Sequence, residues 1–173
     1  VKLAKLAEVA VNVGVALQPG QDLILTAPMA ALPLVRLIAA AAYRAGAGVV
    51  TPIFADEAIA LARYQHGVDA SFDTAPNWLY NGMAEAFANG AARMAIVGDN
   101  PMLLAGEDPA KVARAGKANS LAYQPALAKI AGFDINWSIC SYPGEAWARQ
   151  IFPDLGADAA VHKLAEAIFA ASR

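Results

Sequence analysis

Cysteine and histidine are almost absent from this chain of 173 residues, which contains one cysteine, Cys140, and two histidines, His66 and His162. A single cysteine excludes an internal disulfide and any metal cage built from several thiolates. A reducing compartment is then the simplest expectation, and we predict a soluble, cytoplasmic protein.

Charged residues are also few, at 16% of the chain, and their formal sum is −2. A weakly acidic chain offers no basic surface to a polyphosphate, so we expect no nucleic-acid partner. Long hydrophobic runs are missing as well. The alanine-rich residues 32–47 are interrupted by Arg36 and Arg44 and are too short to cross a bilayer, so we expect no membrane partner either.

Alanine is what the chain has in abundance, with 43 of the 173 residues, and hydrophobic residues reach 58%. This composition excludes disorder, which requires low hydrophobicity and high net charge. The length is typical of one domain, and we predict that residues 1–173 form a single α/β domain. The low charge density predicts that part of the apolar surface is covered by something outside this chain.

Short apolar runs alternate with helical patterns and predict strands at about residues 22–27, 49–55, 93–98 and 135–141. Apolar strands separated by helices are typical of an open, mostly parallel, doubly wound sheet with helices on both faces. Pro52 cannot donate a ladder hydrogen bond, so the second strand is expected at an edge. This favours the strand order 2-1-3-4.

Helix boundaries follow from capping residues. Asp56 and Asp108 are expected to cap helices at their N-termini. Pro125 should kink or end the helix that opens at Pro109, because proline removes one backbone hydrogen bond. Asp158 is expected to cap the last helix, whose apolar face should contact a part of the protein outside this chain.

Acidic side chains follow two of the predicted strands, where an open α/β sheet usually binds its ligand. Asp99 could hold a metal or a substrate there. The favoured interpretation is a turn in which Asp99 accepts hydrogen bonds from nearby backbone amides. Asp56 and Glu57 could form a carboxylate pair, but an N-cap and a first-turn acid explain them better.

The remaining candidates for chemistry also have plainer interpretations. His66 precedes a glycine at a helix end, where a cation is favoured, and His162 is expected on a surface turn. Neither histidine forms a recognised metal motif. Cys140 lies in a buried apolar strand without a basic neighbour in sequence, which favours an inert thiol over a nucleophile.

Neither phosphate-cradling loops nor nucleophile motifs are present, since Gly46-Ala47-Gly48 precedes a strand instead of following one. We therefore predict no catalytic, cofactor-binding or metal-binding residue. Two functions remain open on the residues alone: a module that binds a small metabolite in a crevice around Asp99 and Tyr142, and a structural dimerisation unit. The tryptophans are spaced as core or interface residues rather than as a stacking platform: Trp78, Trp137 and Trp147.

Several segments together resemble one family, the thermophilic metallo-aminopeptidases of the aminopeptidase T and aminopeptidase S type. The clearest are Gln18-Pro19-Gly20-Gln21 before the first strand and Gly98-Asp99-Asn100-Pro101 after the third. The likeness follows the same order along nearly the whole chain, in residues 15–21, 27–28, 42–47, 56–57, 62–66, 78–79, 82–83, 96–101, 104–106, 117–118, 138–147, 151–155 and 167–169.

The resemblance implies an N-terminal domain only. Members of the family are well over twice this length, are homodimers, and remove N-terminal amino acids from peptides with two divalent metal ions, such as zinc, cobalt or magnesium, that activate a water. The ligands come from a C-terminal catalytic domain, which would begin after residue 173, and none maps onto this chain. The resemblance therefore implies a non-catalytic domain that walls the cavity and restricts entry to short peptides.

Overall fold

Four parallel strands form one sheet in the computed structural model, which describes residues 1–172. The order across the sheet is β2-β1-β3-β4, as the position of Pro52 predicts. The strands are β1 (Leu23–Pro28), β2 (Val50–Ala55), β3 (Ala92–Val97) and β4 (Trp137–Ser141). The helices are α1 (Lys2–Val9), α2 (Leu32–Arg44), α3 (Glu57–His66), α4 (Asn77–Ala88), α5 (Pro109–Ala131), α6 (Glu145–Ile151) and α7 (Ala157–Ala171).

Strand β2 lies at an edge because of its proline. Leu23 N donates to Val49 O at 2.9 Å, and Leu25 pairs with Pro52 in the parallel register. Backbone groups alternate in direction along a parallel strand, so those of Thr51 point towards β1 and those of Pro52 point to the free edge. The missing N–H of Pro52 therefore costs no ladder hydrogen bond.

The two faces of the sheet are covered by different helices, which confirms the doubly wound α/β prediction. Helices α1, α2 and α7 pack on one face, which we call face A, over Leu23, Leu25 and Met94. Helices α4 and α5 pack on the other, face B, over Ile24. Central strand β1 is buried along both faces, which is why it reads as an apolar run.

Helix α7 corrects two predictions. It begins at Ala157 after an N-cap at Gly156, so Asp158 lies in its first turn and is not the capping residue. Its apolar face is buried against face A through Ala160, Leu164 and Ile168, so it does not stand free to contact another domain. Within residues 1–172, no helix has the length and apolarity that crossing a bilayer requires.

Helix α5 continues through Pro125 to Ala131, so the expected break does not occur there. Proline removes one backbone hydrogen bond, but the following turns of this 23-residue helix are held by burial of Ala126 and Ile130 on face B. The predicted caps at Asp56 and Asp108 are confirmed, since each side chain accepts a backbone hydrogen bond in the first turn of its helix.

Two glycines allow the loops after β3 and β4 to touch. A Cβ atom added at Gly144 would collide with the carbonyl oxygen of Gly98, and one added at Gly98 would collide with that of Tyr142. Gly144 has φ of −67°, so close approach and not backbone conformation requires glycine there. This contact brings the start of α6 against the carboxyl end of β3.

Replacing Gly144 with alanine should therefore lower the free energy of unfolding by about 1–3 kcal/mol, because the loops must separate to admit the methyl group. Gly82→Ala is the matched control: it lies inside α4 with no atom within 4 Å of the added Cβ, and it should stabilise the protein by about 0.5–1 kcal/mol. Urea unfolding of both variants measures this. Equal effects would contradict the close-packing explanation.

Candidate functional site

Two clefts open at the carboxyl ends of the strands, and Pro28 and Ala55 line both of them. The first, which we call the α6 cleft, has a volume of about 390 Å³ and is lined by Pro28, Asp56, Glu57, Gly144 and Arg149, among others. The second has a volume of about 570 Å³ and lies on face B. Their location agrees with the general position of ligand sites in open α/β sheets.

The acids of the α6 cleft have structural tasks. Asp56 Oδ1 accepts from Ile59 N at 3.0 Å, which is the predicted N-cap. Glu57 Oε1 accepts from Asn100 N at 2.8 Å and so ties the start of α3 to the loop after β3. The pair is therefore a cap and a tether, and the sequence analysis missed the second role because Asn100 is distant in sequence.

The sequence predicts a turn over Gly98-Asp99-Asn100-Pro101, whereas the turn that follows β3 occupies residues 101–106 and a different residue stabilises its start. Asn100 Oδ1 accepts from Met102 N at 2.9 Å, whereas the sequence analysis assigned such bonds to Asp99. Asp99 is exposed and lines the face B cleft. Tyr142 packs instead against the face A cluster and does not line the cleft that Asp99 lines.

The cleft on face B is named the tyrosine cleft here, after Tyr80 of α4 and Tyr123 of α5. Their ring centroids lie 5.5 Å apart. Burial raises the pKa of Tyr80, the neighbouring Tyr123 adds to that rise, and Arg63 opposes it. The floor is the carboxyl half of the sheet, and the lining side chains include Thr26, Ile53, Leu79, Met83, Ala95, Val97, Asn119 and Ser120.

Arg93 lies at the inner end of the tyrosine cleft, on the second residue of β3. Its Nε is buried without a hydrogen-bond partner among residues 1–172, and the same holds for the Tyr123 hydroxyl. A buried polar group left without a partner costs about 1–3 kcal/mol. Sequence analysis missed both residues, because an isolated arginine in a strand and a tyrosine in a helix carry no motif.

The histidines lie on two separate helices. His66 ends α3, as predicted, but His162 lies within α7 and not on a surface turn. Its helical position places Glu166 one turn further along, a relationship that the sequence analysis overlooked. Glu166 is paired with Lys2, whose hydrogen bond lowers the pKa of that carboxyl.

The cysteine matches the inert thiol that the sequence predicts. Cys140 is 8% exposed in the face A cluster, and burial raises the pKa of its thiol from an ordinary value of 9.0 to about 11. The thiolate, which is the nucleophile, is therefore strongly disfavoured.

The tryptophans divide between core and surface. Trp137 packs on the face B cluster and Trp147 on the face A cluster. Trp78 is 77% exposed on α4 and belongs to the surface.

Comparison with known proteins shows the family of the chain. A family model described as "Thermophilic metalloprotease (M29)" matches residues 1–173. The chain belongs to the M29 family. The resemblance that the sequence carries is thereby confirmed.

M29 relatives are considerably longer than this chain. Aminopeptidase T from Thermus thermophilus is 48% identical over 171 residues, which are 99% of this chain and 42% of the relative. Aminopeptidase 2 from Geobacillus stearothermophilus is 40% identical over 172 residues, again 99% of this chain and 42% of the relative. The solved structure of wild-type AmpT from Thermus thermophilus matches with a TM-score of 0.94 at 48% identity, covering 97% of this chain and 42% of that one.

The M29 family implies divalent metal ions, and the residues described here do not fit such a site. A hydrolytic metal site requires several convergent carboxylate or imidazole ligands. Within residues 1–172, no three side chains of histidine, cysteine, aspartate or glutamate come together in this way. Asp69 and Asp73 do lie together, but they hold Arg114 between them, and this contact lowers the pKa of both carboxyls.

Burial of Cys140 predicts slow thiol chemistry in this M29 chain. At pH 8, a thiol with a pKa of about 11 has about a hundredfold less thiolate than one with an ordinary pKa of 9.0. Labelling with a chromogenic disulfide reagent should therefore be at least about a hundredfold slower in the native chain than in guanidinium. Equal rates in the two conditions would show that Cys140 is exposed.

The same pKa shift predicts a loss of stability in alkali. Between pH 9 and 11 the unfolded thiol ionises while the folded one keeps its proton, so the stability present below pH 9 falls as the pH rises towards 11. Relative to Cys140→Ala, which has no thiol to ionise, the wild type should lose about 2 kcal/mol of unfolding free energy over this interval. If the unfolding free energies of the two proteins change with pH in parallel, the raised pKa of Cys140 is contradicted.

Proposed function

We propose that this chain is the non-catalytic N-terminal domain of a metal-dependent aminopeptidase, and that residues 1–173 form one domain beside a C-terminal catalytic domain of the same protein. In this role the chain shapes the wall of the substrate cavity and limits access to it. The observation that carries the proposal is the match to 42% of Aminopeptidase T over 99% of this chain.

The use of the acidic side chains supports a non-catalytic role. Asp56 caps α3, Glu57 holds the loop after β3, and Glu166 pairs with Lys2. A carboxylate that is already engaged in this way is not available as a metal ligand without breaking the contact. In the proposed enzyme, the metal ions would be bound outside residues 1–173.

The open half of face B supports a role at a cavity wall. Helices α4 and α5 leave Val97, which lines the tyrosine cleft, 39% exposed on the carboxyl half of the sheet. Exposed apolar side chains around a concave cleft are typical of binding surfaces. In the proposed enzyme this side would face the catalytic domain and its peptide substrate.

Further properties of the proposed enzyme rest on the family and remain proposals. We infer a homodimer, a peptide substrate, and two divalent metal ions such as zinc, cobalt or magnesium. The cytoplasmic location stays a prediction from the single cysteine.

The chain alone should release no N-terminal residue from peptides or amino-acid anilides, even with added zinc, cobalt or magnesium. Calorimetry should detect no metal binding tighter than about 1 mM, which corresponds to about −4 kcal/mol. A chimaera in which this chain replaces the matching segment of Aminopeptidase T from Thermus thermophilus should cleave both kinds of substrate. The control is the part of Aminopeptidase T that the chimaera retains, assayed without this chain.

Two results would contradict the proposal. If the chain alone hydrolyses substrate in a chelator-sensitive way, and Asp99→Ala abolishes the activity, the chemistry belongs to this chain. If the chimaera folds and binds metal but is inactive, while Aminopeptidase T itself is active under the same conditions, the chain does not serve as an aminopeptidase domain.

A further inference from the structure

The tyrosine cleft has opposite charges at its two ends. Arg93 lies at the inner end, near the start of β3, and Asp99 lies at the mouth, just after the end of the same strand. Between them the cleft is mostly apolar. A ligand matched to it has a negative group that enters first and a body that is apolar or zwitterionic.

Among the six arginines that lie within residues 1–172, the side chain of Arg93 is the exception. Arg93 has no hydrogen bond or ion pair from its guanidinium within residues 1–172, and its Nε is shielded from water. Exposed Arg36 can be solvated instead. The other arginines contact acceptors: Arg44 contacts Glu8, Arg63 contacts the carbonyls of Ser71 and Thr74, Arg114 contacts Asp69 and Asp73, and Arg149 contacts Glu145.

The Tyr123 hydroxyl supplies a second group without a partner in the same cleft. A guanidinium can only donate hydrogen bonds, and a tyrosine hydroxyl can donate one as well. A bound acceptor would satisfy both groups, and a carboxylate accepts several hydrogen bonds in the planar geometry that arginine offers. Neutral carbonyl ligands would leave the charge of Arg93 uncompensated.

The walls of the cleft suit a peptide behind that carboxylate. Thr26, Asn119 and Ser120 provide groups that can bond peptide amides and carbonyls, and Ile53 and Val97 line the cleft with apolar surface that suits small apolar side chains. Arg93 and Asp99 are six residues apart, which is at most about 20 Å along a strand. An extended peptide that fits this distance has no more than about six residues.

We propose that the tyrosine cleft binds the C-terminal carboxylate of a short peptide, with Arg93 and Tyr123 as its ligands and the peptide's N-terminus directed out of the mouth. Its use in hydrolysis rests on the proposed function, because the N-terminus would then point towards the catalytic domain. The binding itself belongs to this chain and can be measured without any catalysis.

Trialanine and trialanine amide are the probes for a titration of the chain followed by NMR chemical shifts. The acid should bind, and the amide, which lacks the carboxylate, should bind at least tenfold more weakly. Arg93→Met should weaken binding of the acid at least tenfold and remove the discrimination between acid and amide. Arg149→Met, which changes an arginine of the α6 cleft, should leave both affinities unchanged.

Tyr123→Phe keeps the ring against Tyr80 and removes only the hydroxyl, so it tests the site if Arg93→Met fails to fold. It should weaken the binding of trialanine more than the binding of trialanine amide. Acetate should bind at least tenfold more weakly than trialanine, because it lacks the peptide body. The proposal is overturned if trialanine and its amide bind the wild type with equal affinity, or if acetate binds as tightly as trialanine. It is also overturned if neither Arg93→Met nor Tyr123→Phe, once shown to be folded, changes the affinity for trialanine.

In the chimaera with Aminopeptidase T, Arg93→Met should raise KM for trialanine at least tenfold with little change in kcat. Alanine anilide has no carboxylate, so its hydrolysis should not change, and an equal effect on both substrates would overturn the inference. An inactive chimaera beside a positive titration would count against the proposed function and leave the carboxylate site standing. An active chimaera beside a negative titration would overturn the carboxylate site and leave the proposed function standing.

Discussion

A parallel sheet must be covered on both faces, and in this chain the helices leave part of face B uncovered. Helices α1, α2 and α7 pack on face A in one cluster that includes Leu25, Leu34 and Ile38. On face B, α4 and α5 bury the amino half of the sheet around Ile24 and Phe87. The carboxyl half is left open there, and the tyrosine cleft is the result.

The abundant alanine of the chain makes close packing possible with few large side chains. Ala42, Ala115, Ala126, Ala148 and Ala160 are at most 1% exposed. Small side chains let helices approach the sheet closely, and the larger residues such as Leu23 and Met94 fill the space between. The contact of Gly98 with Gly144 applies the same principle to two loops, and it joins the strand ends that border the α6 cleft.

The cleft on face B also explains why motif analysis found so little chemistry. The predicted candidates are mostly structural: Asp56 caps a helix, Cys140 is a buried thiol, and Glu57 tethers a loop. Arg93 and Tyr123, which have unpartnered buried atoms, lie on β3 and α5 and share no pattern along the chain. Their proximity depends on how α5 crosses the sheet, which no local spacing records.

Sequence alone determined the elements and their order, because apolar runs, caps and proline act over a few residues. The predicted strands agree with the observed ones within about two residues, and Pro52 was sufficient to place β2 at the edge. Only the tertiary structure decided that α7 packs on face A, that Asn100 and not Asp99 stabilises the turn after β3, and that Arg93 has no acceptor. These depend on contacts between residues that are distant along the chain, and such contacts form only when the helices have packed on the two faces of the sheet.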